Sequence, residues 1–248
     1  MYIYEAGCEN EKAMVIIHGA CMSYNMMREI VQKVKDRYHI YNVGVPGMDP
    51  NSDEEFTSIE DISDKIEQKL IEKGVKEIEC LYGLSMGGAL VIRLLANHRI
   101  PVKKALIDAG ITPYELPYLQ TRAILFVDVA SILLVKMSKK LLLAAMPEEK
   151  YGKEGMEEMY KVIKHMSFKT IKNVFDSTDN YTMPKQFPKM DTKIAYWYGS
   201  EERKARKLDI EYVKKHIPNV VFREIKGYDH GQYALCKTNL FVKIYIIF

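Results

Sequence analysis

Ser85 is the side chain best placed to do chemistry. It sits in Leu81-Tyr-Gly-Leu-Ser-Met-Gly-Gly-Ala89, with Gly83 two residues before it and Gly87 and Gly88 just after. A serine hydroxyl is a poor nucleophile until a neighbouring base takes its proton. That base works best when a carboxylate fixes its tautomer and stabilises the cation it becomes. Six histidines could supply it: His18, His39, His98, His165, His216 and His230. An attack on a carbonyl also needs backbone N–H groups to hold the oxyanion. The residue types therefore point to nucleophilic acyl chemistry, provided the fold brings these distant positions together.

The surrounding pattern says how it could. A β-branched run at residues 13–18 stops at Gly19, and residues 22–37 then carry Met26, Met27, Ile30, Val31 and Val34 at helical spacing. A second strand-like run at 39–45 closes with Pro46-Gly47. After an acidic loop to Glu55, Ile59, Ile62, Ile66, Leu70 and Ile71 follow along one helical face. A third runs from residue 77 to 82, through the Ser85 turn, into an apolar helical stretch at 89–96. Further strand-like runs lie at 104–108, 194–198 and 220–225. Strands buried on both faces and alternating with helices predict an α/β fold, a mostly parallel sheet of about six strands flanked by helices.

Between Asp108 and Lys193 the alternation breaks. Helical patterns appear at 118–146, 154–165 and 168–176, separated by prolines, with no convincing strand. A structureless loop of that length is foreign to a compact domain. An inserted helical lid at 112–190 is expected, within a core domain formed by 1–111 and 191–248.

Composition narrows the class. The chain has 248 residues, 48% of them hydrophobic, enough for one sizeable core. Its 36 basic and 33 acidic residues are mixed along the chain, which argues against nucleic acid as a partner. Cys8, Cys21, Cys80 and Cys236 lie far apart, with no CxxC pair and no requirement for a metal site. The start, MYIYEAGCENEK, has no basic segment followed by an apolar one, so a cytoplasmic location is expected. Residues 123–135 are apolar except for Asp128 and Ser131, but about 13 residues fall short of a bilayer span. A buried or pocket-lining helix is expected there, and no transmembrane segment. The closing LFVKIYIIF reads as the core-facing end of a terminal helix or strand, and its abrupt apolar finish leaves the natural C-terminus open.

Taken together, the chain resembles the α/β-hydrolase family. The resemblance runs from the HGA at 18–20, through GLSMGG around Ser85, to GYDHGQ at 227–232, in the family's order and over nearly the whole length. A strand before Ser85 and a helix after it are the context of a nucleophile elbow. The resemblance implies Ser85 as nucleophile and His230, in the loop after the last strand, as base. It implies Glu202, in Tyr198-Gly-Ser-Glu-Glu202, as the carboxylate, with Asp108 and Glu201 as alternatives. It gives His18 a structural place and the backbone amides of Ala20 and Met86 the oxyanion. Two departures stand out: the leading hairpin of larger members shrinks to residues 1–7, and glutamate fills the usual aspartate position.

The expected activity is that of a serine hydrolase cleaving a carboxylic ester of small or medium acyl size through an acyl-enzyme, without cofactor or metal. The partner is a small-molecule acyl substrate; oligomeric state is not indicated. A lyase or acyltransferase on the same residues, or a non-catalytic ligand-binding homologue, are the alternatives. Other signals are read as structural. The acidic loop 49–55 is expected to be solvated, residues 203–207 to be the wet face of a helix, Cys21 and Ser23 to pack, and Met22, Met26 and Met27 to be core. Gly83 to Gly88 lacks the Gly-Lys-Ser/Thr of a phosphate loop.

Overall fold

The fold is known from a computed structural model that describes residues 1–247, with side chains through residue 244. Seven strands form one sheet: β1 (Tyr2–Ala6), β2 (Ala13–Ile17), β3 (His39–Gly44), β4 (Ile78–Leu84), β5 (Val102–Asp108), β6 (Lys193–Gly199) and β7 (Val220–Ile225). Their order is β1-β3-β2-β4-β5-β6-β7. Only β1 is antiparallel, pairing with β3 from Tyr2 opposite Gly44 to Ala6 opposite Ile40. The six strands read from the sequence are all present, and the seventh comes from the short N-terminal stretch. That stretch alternates exposed and half-buried residues, as an edge strand does.

Chain direction locates the crevice. From β2 the chain crosses to β3 on one side, and from β4 it crosses to β5 on the other, while β2 and β4 are neighbours. In such sheets the space outside the carboxyl ends of the two diverging strands is where ligands bind. The loop after β2 and the Ser85 turn after β4 both open there.

Helices cover both faces. α1 (Arg28–Val34) follows a single 3-10 turn, and α2 (Ile59–Glu72) is capped by Ser58, whose hydroxyl accepts from the Asp61 amide at 3.2 Å. α3 (Met86–Asn97) starts at the Ser85 turn and packs on β4 and β5. Between β5 and β6 lie five helices: α4 (Tyr118–Met137), α5 (Lys139–Ala145), α6 (Glu148–Tyr151), α7 (Lys153–His165) and α8 (Phe168–Asn180). α9 (Lys207–His216), α10 (Gln232–Cys236) and α11 (Thr238–Ile247) complete the chain. Phe241 and Val242 are buried, as expected for the closing apolar stretch, whose side chains at 245–248 lie outside the described residues.

Three expectations need correction. The periodic stretch 118–146 is two helices, because Ser138 adopts an extended conformation (φ −146°, ψ 113°) that ends α4. The apolar run 123–135 belongs to a helix of 20 residues, long and apolar enough to cross a bilayer by length and composition. It is also not a buried helix: Thr121 is its one fully buried residue, and its packed face meets α7 and α8. The acidic loop is not uniformly solvated either. Asp49 is buried, accepting the Tyr4 hydroxyl at 3.0 Å and the Asn51 amide at 2.9 Å.

Packing around the Ser85 turn tolerates no side chain at its glycines. A Cβ on Gly83 would lie 2.1 Å from the Gly87 carbonyl oxygen, and one on Gly87 would lie 2.3 Å from the Ile17 carbonyl oxygen. Both obstacles are backbone, which cannot swing aside. Gly83→Ala is therefore expected to destabilise the protein by at least about 3 kcal/mol, read as a shift in the urea midpoint. Gly155→Ala, in α7 where a Cβ meets nothing within 4 Å, is the control expected not to lower it.

Candidate active site

Ser85 occupies φ 56° and ψ −117°, an uncommon region for a residue with a side chain. Such a conformation costs about 1–3 kcal/mol and persists only where its surroundings over-determine it. Here they do. The Ser85 amide donates to the Asp108 carbonyl at 2.8 Å, and the Ser85 carbonyl accepts from Gly88 at 2.8 Å and Ala89 at 3.2 Å as α3 begins. The side chain is 8% exposed, at the floor of the crevice.

The loop after β2 lies directly against this turn. A Cβ on Gly19 would sit 3.3 Å from the Ser85 Cβ, and Cys21 just beyond takes a positive φ of 60°. His18 is fully buried and holds the loop. Its Nδ1–H donates to the Gly19 carbonyl at 2.9 Å and its Nε2 accepts the Val45 amide at 3.3 Å. Burial draws the imidazole's pKa down to about 4, so the ring is neutral and its tautomer is fixed by these two bonds. Ala20, half-buried, follows Gly19, while Met86 opens α3, where first-turn N–H groups have no carbonyl partner in the helix. Met22 and Met27 are core as expected, and Ser23 is buried with its hydroxyl donating to Glu158 of α7 at 3.0 Å.

Opposite, the fold brings Glu202 and His230 together across 28 residues of chain. His230 Nδ1 lies 2.6 Å from Glu202 Oε2, and Glu202 Oε1 accepts the Gly199 amide at 3.0 Å. Glu202 is only 6% exposed. The loops bearing Glu202 and His230 are pressed together, since a Cβ on Gly199 would lie 2.2 Å from the Tyr228 carbonyl oxygen. Gly231, in the left-handed region at φ 65°, rests against the Leu84 side chain, so the residue after His230 touches the residue before Ser85.

The two alternative carboxylates have other hydrogen-bond and ion-pair partners. Glu201 is exposed and pairs with Lys150 of α6 at 2.6 Å. Asp108 is buried, accepting the Tyr82 hydroxyl at 3.0 Å. Burial first, and the Glu202 charge second, push its pKa up to about 7, while Tyr82 and His230 act the other way.

Arg206 is the neighbour of Glu202 that the sequence does not reveal. The expected wet helical face does not hold for it: its side chain is 12% exposed, with Nε 3.6 Å from Glu202 Oε2 and Nη1 3.0 Å from Asp209 Oδ2. Arg203 and Lys207 of the same run are exposed, and the helix begins only at Lys207. Asp209 in turn accepts the Thr112 amide at 2.7 Å. The position of Asp209 three residues on was the available signal. Away from the crevice, Glu5, Cys8 and His39 place one donor atom each within 4.8 Å of one another, but the Glu5 carboxylate is already paired with Lys73 and His39.

The chain matches the model of the alpha/beta hydrolase family over residues 14–184, more than half its length. Its fold is similar to that of bromoperoxidase from Bacillus anthracis, with TM-score 0.82 and 16% identity, over 100% of this chain and 95% of that one. It is also similar to the esterase EaEST from Exiguobacterium antarcticum, with TM-score 0.77 and 16% identity over 99% and 94% of the two chains. MenH from S. aureus gives TM-score 0.71 and 18% identity over 99% and 96%. Likeness at such identities establishes the fold. No curated protein matches the sequence.

The buried Asp108 makes a stability prediction. With its pKa raised, the folded chain binds the proton more tightly than the unfolded chain, so Asp108 favours folding at low pH and this contribution is lost as pH rises from about 4 to about 7. His18 acts oppositely, its lowered pKa weakening the fold as pH falls from 6.5 toward about 4, but it is common to parent and variant. Urea midpoints at about pH 5 and about pH 8 are expected to shift in favour of Asp108→Asn, relative to the parent, at the higher pH.

Proposed function

The chain belongs to the alpha/beta hydrolase family, and from that premise we propose that it is a serine hydrolase cleaving a carboxylic ester through an acyl-enzyme. The observation that carries this reading is the backbone of Ser85, held at φ 56° by glycine-tight packing where an ordinary turn would relax. Strain of this kind lifts a hydroxyl clear of the chain toward the crevice, which is what a nucleophile needs and a packing serine does not.

In this mechanism Glu202 accepts the Nδ1–H of His230, leaving Nε2 with its lone pair as base. Ser85 Oγ attacks the ester carbonyl carbon while its proton passes to His230 Nε2. The negative charge gathers on the former carbonyl oxygen, where the amides of Ala20 and Met86 hold it, each donor being worth about 3 kcal/mol in comparable sites. The intermediate collapses by breaking the bond to the alkoxy oxygen, which leaves as the alcohol with the proton from His230. Water then attacks the acyl-enzyme, again giving its proton to His230, and the acid departs as Ser85 is restored. Glu202 stabilises the imidazolium in both halves, the Gly199 amide orients that carboxylate by a hydrogen bond, and Arg206 adds a positive charge 3.6 Å from it.

The helices α4–α8 act as a lid. They follow directly on the loop beside Ser85, and Lys150 of α6 is paired with Asp229, the neighbour of His230. A small or medium acyl group suits a crevice whose floor is this closely packed.

The test is hydrolysis of p-nitrophenyl esters of graded acyl length. Ser85→Ala and His230→Ala are expected to remove measurable turnover. Glu202→Gln is expected to lower kcat by about 10²–10⁴, and Asp108→Asn by less than about tenfold. A severe loss in Asp108→Asn with a mild one in Glu202→Gln would transfer the role of acid to Asp108. Turnover undiminished in Ser85→Ala would refute the reading.

A further inference from the structure

α4 has two unlike sides. Its inner residues Val129, Ile132, Leu133 and Val135 pack on the core, Arg122 pairs with Asp176 of α8 at 2.8 Å, and the Lys136 ammonium donates to the Met166 carbonyl. Asp128, the one acid of the helix, is half-buried and lies in the field of Arg206. The outer side is different. Leu119, Ala123, Phe126, Leu134 and Met137 are exposed along it, with half-buried Ala130 completing the three-or-four-residue spacing, on a helix of 20 residues, about 30 Å long. Leu119 is 80% exposed, Phe126 75% and Met137 81%. Leu141 prolongs the exposed apolar surface onto α5. Soluble proteins seldom leave a continuous stripe of this kind uncovered without a partner for it.

The charges beside the stripe indicate which partner. Residues 116–146 contain one acidic side chain, Asp128, which faces inward, and four basic ones, of which Arg122 pairs with Asp176, Lys136 with the Met166 carbonyl and Lys139 with Glu148 and Glu157, while Lys140 is exposed. The contact of Lys136 with Met166 brings the junction of α7 and α8 to the end of α4, and there Lys164, Phe168 and Lys169 are exposed. A second copy of this chain would set one apolar face bearing Lys140, Lys164 and Lys169 against another, with no outward acid on α4 or α5 to answer them. An anionic bilayer answers both features, accepting apolar side chains at the headgroup boundary and pairing lysines with phosphates. Crossing the bilayer is a different matter: the inner face of α4 is committed to the fold by the Arg122–Asp176 pair and its core contacts.

We infer that the outer face of α4 and α5 docks on an anionic lipid surface, with its apolar stripe at the headgroup–acyl boundary and the neighbouring lysines against lipid phosphates. The docking holds whatever Ser85 does. Combined with the hydrolase reading, it directs the crevice toward acyl esters that partition into membranes.

The experiment is co-sedimentation of the whole protein with vesicles of phosphatidylcholine alone and of phosphatidylcholine mixed with phosphatidylglycerol, alongside light scattering without vesicles. Pelleting is expected with the mixed vesicles, and its loss to the level of phosphatidylcholine alone is expected at high salt and in the exposed-site variant Phe126→Glu/Leu134→Glu. Ser85→Ala should pellet like the parent, which separates docking from hydrolysis. Failure to pellet with mixed vesicles, or equal pelleting with phosphatidylcholine alone, overturns the inference. A stable dimer that Phe126→Glu/Leu134→Glu dissolves, without vesicle binding, overturns it in favour of a second copy.

Discussion

The close approach of three backbones around Ser85 is the constraint on which the rest depends. β2 and β4 stay paired to their carboxyl ends, and the chain leaving each must turn within a few ångströms of the other. Gly19, Gly83 and Gly87 make that possible, because a Cβ at Gly83 or Gly87 would collide with main-chain oxygen and one at Gly19 would crowd Ser85 itself. The strain at Ser85 is the consequence of this packing. Hydrogen bonds from the end of β5 and from the first turn of α3 then hold the residue where it is.

A second layer of order is electrostatic. Glu202 meets a ring nitrogen, a backbone amide and a guanidinium, so a carboxylate removed from water keeps partners for its charge. Asp108 stands nearby with a hydroxyl donor from Tyr82, and burial together with the Glu202 charge favours its neutral form. Arg206 links this centre to Asp209, and Asp209 to Thr112 at the root of the helical insertion. The Glu202 loop and the loop leading into α4 are therefore joined by polar contacts.

Much of this was legible in the sequence where the signal was local. Every parallel strand announced itself as an apolar run, and β7 coincides with the expected 220–225. Ser85 was marked by its glycines, and the resemblance supplied positions for His230 and Glu202 that the fold brings within 2.6 Å of each other. Long-range facts were less visible. Arg206 looked like one more surface charge because its partners, Glu202 and Asp209, surround it only once the turn before α9 has formed. Asp49 looked solvated because the Tyr4 hydroxyl that covers it comes from a strand 45 residues earlier. α4 was misjudged for the reverse reason: an apolar stretch inside a charged chain suggests burial, while the fold buries only one side of it. Periodicity registers a contrast between faces, and a helix apolar on both faces offers little.

Labelling with a fluorophosphonate, followed by intact mass and peptide mapping, tests the central claim most directly, since the probe reacts with serines whose hydroxyl a base has activated. The account requires a single adduct on the peptide containing Ser85, absent in Ser85→Ala and largely absent in His230→Ala. A folded parent protein that takes up no probe, or takes it up at another residue, would contradict the account.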